Sequence, residues 1–490
     1  MNQNQDNLVK NAIEPFKSDA PLIIYIDLKS PYAYLSIEPT RKMLKDLGIE
    51  ADWRPFVLDI PSYLGSAKLG KGGKKVAKQD RTEEQWSDVK YAYFDCRRYA
   101  NLSDKTIRGT VKIWNTDLPA IGMLWLKKLS SLSEQSSEGS LLERYIDEIY
   151  DSFWKREFDA EDVRSILNLL EQINAPIDGF LEYAESDGAA LNNLLQQSSF
   201  DAGIYGVPTY ILPGESETDP QHEKFFGREH LPRIRWLLSG RQGKAPDMAY
   251  LLDPEVNNKA LNKSASDPSS APELKVTPLK LTTYFNFKSP ESYIAMRSLL
   301  ALKSEGILVD WRPFVSKPLR APSEEVADED RSTKHYRIRG EYHANNIKRY
   351  ASHNLANIYR ETDCQFADMG LLWLQHEMQA SNDVIDDYVQ HVFVHLWQHE
   401  GKIDLPQDIE PLCLATRLIQ NEFSKSIQDG TFINGWQKYV AGKGLEHLAK
   451  AREVALSQSI STAPTFLIGS EPFRGQAQLP LIKARLKAGI

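Results

Sequence analysis

Apolar and polar positions fall into two alternating patterns along the chain. LIIYID (22–27) is a short apolar run rich in β-formers and predicts a buried strand. Ser30-Pro31 follows, a favoured N-cap and a favoured first helical residue. A helix is therefore expected from here to about Gly48, with Pro39 kinking or breaking it. IEADWRPFV (49–57) reads as a second strand, parallel to the first if the helix is a crossover, and ended by Pro55. Helical periodicity then dominates, in WSDVKYAYFDCRRYANL, PAIGMLWLKKL, LLERYIDEIYDSFW and DAEDVRSILNLLEQI. GVPTYIL and EKFFG read as two strands around a turn, and EHLPRIRWLL as a closing helix. The order is βαβ, a helical block, then ββα.

That order occurs twice. DWRPFV stands at 52–57 and again at 310–315. DLKSPYAYLSI from Asp27 parallels NFKSPESYIAM from Asn286, Arg98-Tyr99-Ala100 parallels Arg349-Tyr350-Ala351, and GMLWL from Gly122 parallels GLLWL from Gly370. VPTYIL from Val207 parallels APTFLI from Ala463. Five matches in one order mean a tandem duplication, since solenoid repeats are only about 20–50 residues long. The expected division is a first domain over 1–245, a linker over 246–278 rich in Pro, Ser, Asn and Lys, and a second domain over 279–490. The fold class is α/β: two tandem thioredoxin-like domains, each carrying a large α-helical insertion.

Composition narrows the function. A net charge of −8 over 490 residues gives no sign of a nucleic-acid binder. No apolar run approaches membrane-spanning length, and the N-terminal residues lack a secretory pattern. Cys96, Cys364 and Cys413 lie far apart without a CxxC, which suits a reducing compartment and argues against a disulfide scaffold or a local zinc site. A cytoplasmic protein without a bound metal is expected.

The quoted motifs carry a resemblance. SPYAYL after the first strand, RPF at the end of the second and GVPT before the third are similar to the DsbA-like superfamily. Within it they resemble the kappa-class glutathione transferases and 2-hydroxychromene-2-carboxylate isomerases, which carry Ser-Pro-aromatic where disulfide oxidoreductases carry CxxC. The resemblance implies glutathione as cofactor, with Ser30 facing its sulfur as the catalytic residue. It also implies a cis Val207-Pro208 whose preceding backbone pairs with the cofactor's peptide. Family members are commonly dimeric, so the two copies are expected to form an intramolecular pseudo-dimer.

Physical reasoning supplies its own case for Ser30. A helix N-terminus presents unpaired N–H groups and the positive end of the macrodipole, so a thiolate there is stabilised. Plain N-capping would also explain a serine at that position. Lys29 adjoins it as a source of positive charge, and Tyr32 lies in the first turn. Gly227-Arg228-Glu229 replaces the family's Gly-Ser-Asp, leaving Glu229 to take an ammonium and Arg228 a carboxylate. Asp95 and Arg98 are at ion-pair spacing and read as a surface pair. The basic run from Lys68 to Arg81 reads as a solvated loop or a mobile lid. In the second copy Ser289 and Ala463-Pro464 keep the skeleton, but Glu291 replaces Tyr32 and would repel a thiolate.

The leading expectation is a glutathione-dependent isomerase or transferase acting on a hydrophobic, electrophilic small molecule. Two alternatives stand beside it. One is a DsbA-family thiol–disulfide oxidoreductase. The other is a non-enzymatic binding protein on a degenerate thioredoxin scaffold.

Overall fold

The computed structural model describes residues 14–252 and 279–489, apart from 66, 70–75, 131–139, 215–221, 318, 352, 354 and 356. Most of the expected linker therefore lies outside the described residues. The chain divides into two units. The first comprises Met1–Asp247 together with Glu324–Arg339, and the second Met248–Ser323 with Gly340–Ile490. The segment Glu324–Arg339 thus belongs to the first unit, although its place in the sequence lies within the second repeat.

The first unit opens with β1 (Ile23–Ile26), α1 (Pro31–Leu47) and β2 (Asp52–Pro55). All four β1 residues are almost fully buried, as the apolar run predicts. Ser30 caps α1 in extended geometry, its Oγ accepting from Ala33 N at 3.2 Å. At the other end Gly48 adopts φ 65°, and its N–H reaches the carbonyls of Leu44 and Lys45. Of the two outcomes expected for Pro39, a break does not occur: α1 runs through it without interruption. Pro39 forfeits only the bond to the Leu35 carbonyl, while Ala33, Leu35, Ile37, Met43 and Leu44 anchor the helix in the core.

An insertion follows: α2 (Ile60–Leu64), the hairpin β3 (Ala67–Leu69) and β4 (Val76–Gln79), then α3 (Glu83–Leu102), α4 (Asp117–Ser130), α5 (Leu141–Trp154), α6 (Val163–Gln172), α7 (Phe180–Glu185) and α8 (Asp187–Asp201). The basic run is thus partly a β-hairpin rather than a loop; its central residues, 70–75, lie outside the described residues. β5 (Thr209–Leu212) and β6 (Glu223–Phe226) lead through a 3₁₀ turn at Arg228–His230 into α9 (Leu231–Leu238). The sheet order is β2-β1-β5-β6, with β1 and β2 parallel and the other pairs antiparallel. This is a thioredoxin-like sheet with the helical block inserted between its second and third core strands.

The second unit repeats the plan. β7 (Leu279–Phe285), α10 (Pro290–Ala301) and β8 (Ile307–Pro313) are followed by α11 (Arg331–Tyr350), α12 (Gln365–His376), α13 (Asn382–Gln398) and further helices between Pro406 and Ser457. β9 (Thr465–Ile468), β10 (Glu471–Arg474) and the helix Leu479–Ala488 close it, with sheet order β10-β9-β7-β8. α11 begins in the first unit and continues in the second from Gly340.

The repeated GxLWL motif has a packing cause. Tyr145 donates to Pro119 O at 3.1 Å and Tyr388 to Ala367 O at 2.8 Å, each hydroxyl crossing its neighbouring helix at the motif glycine. A Cβ on Gly122 or Gly370 would collide with that hydroxyl. Trp154 and Trp397 are core residues of the helical blocks.

Candidate functional site

β1 ends where α1 begins, and the chain before β5 returns beside that junction. Ser30 Oγ consequently lies 3.4 Å from Val207 O, to which it donates, while accepting from Ala33 N. The Val207-Pro208 peptide is cis, as is Ala463-Pro464. A serine hydroxyl and a helix N-terminus thus meet the backbone of the cis Val207-Pro208 peptide in the first unit.

Lys29 does not join them. Its ammonium turns inward, donating to Thr116 Oγ1 at 3.1 Å and pairing with Asp27 at 3.4 Å, with both charged side chains buried. Asp27 also accepts from Thr116 Oγ1 (2.7 Å) and Leu58 N (2.8 Å). The strand end sets this direction: the buried carboxylate of Asp27 needs a cation, and Lys29 is within reach. The expected contribution of Lys29 to a thiolate at the helix end is therefore replaced by an internal ion pair.

Tyr32, Arg228 and Glu229 lie among the residues of α3. The Tyr32 hydroxyl hydrogen-bonds Cys96, whose buried thiol is pushed well up. The Arg228 guanidinium stands 4.4 Å over the Tyr99 ring. Asp95 and Arg98 pair at 2.9 Å with both side chains about 2% exposed, so this pair is buried rather than on the surface. The difference arises because that face of α3 packs on α1, which sequence spacing does not reveal. Glu229 folds back over Gly227, whose φ of 108° and lack of a Cβ leave room for the carboxylate.

Burial pushes the Glu229 carboxyl up to about 7, outweighing a backbone hydrogen bond and the nearby Arg228. An acid whose pKa rises on folding favours the fold fully below its unfolded value, near 4.5, and progressively less as pH climbs through about 7. Glu229→Gln is accordingly expected to raise the melting temperature at about pH 8 and to leave it nearly unchanged at about pH 4. Equal shifts at both pH values would contradict this origin.

Arg54, at the end of β2, is structural. It is 3% exposed, pairs with Asp52 at 2.7 Å, and donates to Glu14 O (2.9 Å) and Lys17 O (2.6 Å).

One group was invisible to sequence reasoning. Within the first unit, His335 stacks on Tyr63 with centroids 4.0 Å apart and lies edge-on to Tyr205 at 5.7 Å. The Tyr336 hydroxyl donates to Tyr63 O (2.8 Å), and Arg331 pairs with Asp59 (3.1 Å). Burial pushes the His335 imidazole down to about 4, and it hydrogen-bonds the Tyr205 backbone, so it is neutral at physiological pH. This segment buttresses Tyr205-Gly206, which leads directly into Val207. No short-range signal in the sequence ties residues 324–339 to that stretch.

In the second unit Ser289 caps α10 and accepts from Ser292 N at 3.1 Å. Its hydroxyl also donates to Glu291 Oε2 at 2.7 Å, and lies 3.4 Å from Ala463 O. The other oxygen of Glu291 meets His343 Nε2 at 2.5 Å. Burial pushes the Glu291 carboxyl up, but the His343 and Ser289 hydrogen bonds outweigh it and hold it below the usual range. The second helix N-terminus therefore already holds an anion, supplied by its own first turn.

Among the described residues no cluster of His, Cys, Asp or Glu is arranged to hold a metal, and no helix is long and apolar enough to cross a membrane. The fold and this geometry define each unit as thioredoxin-like, with a serine capping its first helix. No protein-family model matches the chain, and no curated protein matches it. Among solved structures, a 2-hydroxychromene-2-carboxylate isomerase is 16% identical, with a TM-score of 0.33, covering 44% of this chain and 94% of its own. A probable DsbA oxidoreductase from Streptomyces coelicolor is also 16% identical, with a TM-score of 0.32, covering 48% of this chain and 96% of its own.

Proposed function

We propose that the first unit binds glutathione and presents its thiolate to a hydrophobic electrophile, as an isomerase or a transferase. The observation that carries this reading is the meeting of Ser30 Oγ and the α1 N-terminus with the backbone at the cis Val207-Pro208 peptide. An extended tripeptide can pair with the Val207 backbone as an added strand. Its cysteinyl sulfur then lies toward Ser30, where the hydroxyl and the helix end favour the thiolate. Glu229 and Arg228 offer opposite charges for the ammonium and a carboxylate of the peptide's γ-glutamyl end. An ammonium beside Glu229 would keep that carboxyl ionised at neutral pH.

The chemistry follows from the thiolate as nucleophile. A C–S bond forms at the electrophilic carbon, and the displaced electron pair moves onto the conjugated acceptor. In an isomerase, rotation about the former double bond is followed by return of that electron pair and cleavage of the C–S bond, which regenerates the thiolate. In a transferase the C–S bond stays and a proton or leaving group completes the product. Disulfide exchange has less support: Cys96, Cys364 and Cys413 are buried, with thiols pushed up by burial, and the N-cap of the first helix in each unit is a serine.

Calorimetry of the full chain with glutathione tests the proposal. The full chain is needed because residues 324–339 complete the first unit. Saturable binding is expected, weakened by Arg228→Ala. No heat at millimolar glutathione from the folded chain would overturn it.

A further inference from the structure

The two units differ sharply in the seam where the first helix meets the tryptophan-ended helix of the insertion. The units align there without ambiguity: Ser30 with Ser289 along the first helix, and Trp154 with Trp397 along the second. The buried hydroxyls of Tyr145 and Tyr388, each donated to the carbonyl one turn before its motif glycine, fix the same register.

In the first unit this seam is closed by charge. Arg41 Nη1 meets both oxygens of Asp147, at 2.6 and 2.7 Å, and Nη2 donates to Glu143 O at 3.0 Å. Asp151 accepts from Tyr34 Oη at 3.3 Å and pairs with Lys155 at 2.5 Å. Lys105 bridges to Glu38 at 3.3 Å.

In the second unit the partners have changed together. Arg41 and Asp147 align with Leu300 and Gln390, and Asp151 and Lys155 with Val394 and Gln398. Glu38 aligns with Arg297. Two ion pairs have lost both members, so no orphaned charge remains. Where the first unit has these ion pairs, the second has a cavity of about 370 Å³ between α10, the end of α11 and α13. That volume lies within the small-molecule range of about 300–1,000 Å³.

We infer that this cavity is a second ligand site, for a small aromatic carboxylate. Ile294, Met296, Leu300 and Val394 supply an apolar floor, and Tyr293 and Tyr350 aromatic walls. Arg297 is the lining guanidinium, and no acidic side chain lines the cavity. The Gln398 amide donates to Tyr293 Oη at 2.7 Å, which sets that wall. A flat apolar body with one anionic end complements the apolar floor and the lining guanidinium. This inference stands apart from the glutathione site, which lies in the other unit.

The test uses the full chain and 2-naphthoate, read by calorimetry, with saturating glutathione present throughout. Saturable binding at one site per chain is expected. Leu300→Arg with Gln390→Asp rebuilds the first unit's ion pair across the cavity, and should weaken binding by at least about tenfold without lowering the melting temperature. Should that pair fail to fold, Val394→Phe, which fills the cavity with apolar volume, carries the same expectation. Arg297→Gln should weaken 2-naphthoate by about tenfold while leaving the neutral 2-naphthalenemethanol unchanged. Absence of saturable binding at millimolar probe, or binding untouched by the cavity-filling variants, would overturn the assignment.

Discussion

Introducing the second unit's carboxylate into the first, by Tyr32→Glu, is expected to abolish glutathione binding to the chain, while Tyr32→Gln weakens it only modestly. The second unit shows what such a carboxylate does. Glu291 accepts from Ser289 at 2.7 Å and meets His343 at 2.5 Å, so the helix end is satisfied internally. A thiolate about 4–6 Å from that carboxylate would suffer a repulsion on the order of 1–4 kcal/mol in a partly exposed site. That is enough to cancel what a helix terminus supplies, which is about 0.3–2 kcal/mol. The same logic predicts one glutathione per chain rather than two. Calorimetric stoichiometry checks it: two equivalent sites, or full binding by Tyr32→Glu, would contradict the role given to Glu291.

The second large effect concerns stability. Arg54→Ala is expected to destabilise the first unit by about 3–5 kcal/mol, because it strips a buried cation from an ion-pair network. Asp52 is held by Arg54 and Lys127 together. Burial pushes its carboxyl up, yet the two cations outweigh that and hold it at about 2. Losing Arg54 also removes a hydrogen bond from each of the Glu14 and Lys17 carbonyls. Arg312, at the same place in the repeated DWRPFV, pairs with Asp310 but is 44% exposed, so Arg312→Ala should change stability by no more than about 0.5 kcal/mol. Hydrogen exchange measured separately over residues 22–57 and 279–315 distinguishes the units. Comparable losses of protection from both substitutions would count against this explanation.

These contrasts show how far local sequence reaches. The buried strand at Leu22–Asp27, the Ser30-Pro31 cap and the paired strands around GVPT were legible because each depends on neighbours a few residues away. The duplication was legible because five motifs recur in order. Pro39 does not break its helix, since tertiary anchoring of buried side chains outweighs one lost backbone bond. Side-chain direction was the larger gap. Whether Lys29 faces a ligand or Asp27, and whether Asp95–Arg98 is exposed or buried, depends on what packs opposite. The placement of His335 against Tyr63 and Tyr205 depends on a segment some 270 residues beyond Tyr63 in sequence, which no local pattern announces.

The central claim is that Ser30 and the α1 N-terminus stabilise a thiolate in the first unit. Ultraviolet absorbance of the thiolate of bound glutathione, titrated against pH in the wild type and in Ser30→Ala, measures this directly. The wild-type complex should titrate below free glutathione, and Ser30→Ala should move the midpoint back toward the free thiol by about one unit while the fold is retained, because loss of an N-cap costs only about 1 kcal/mol. Superimposable titrations of the two complexes would show that Ser30 does no more than cap its helix.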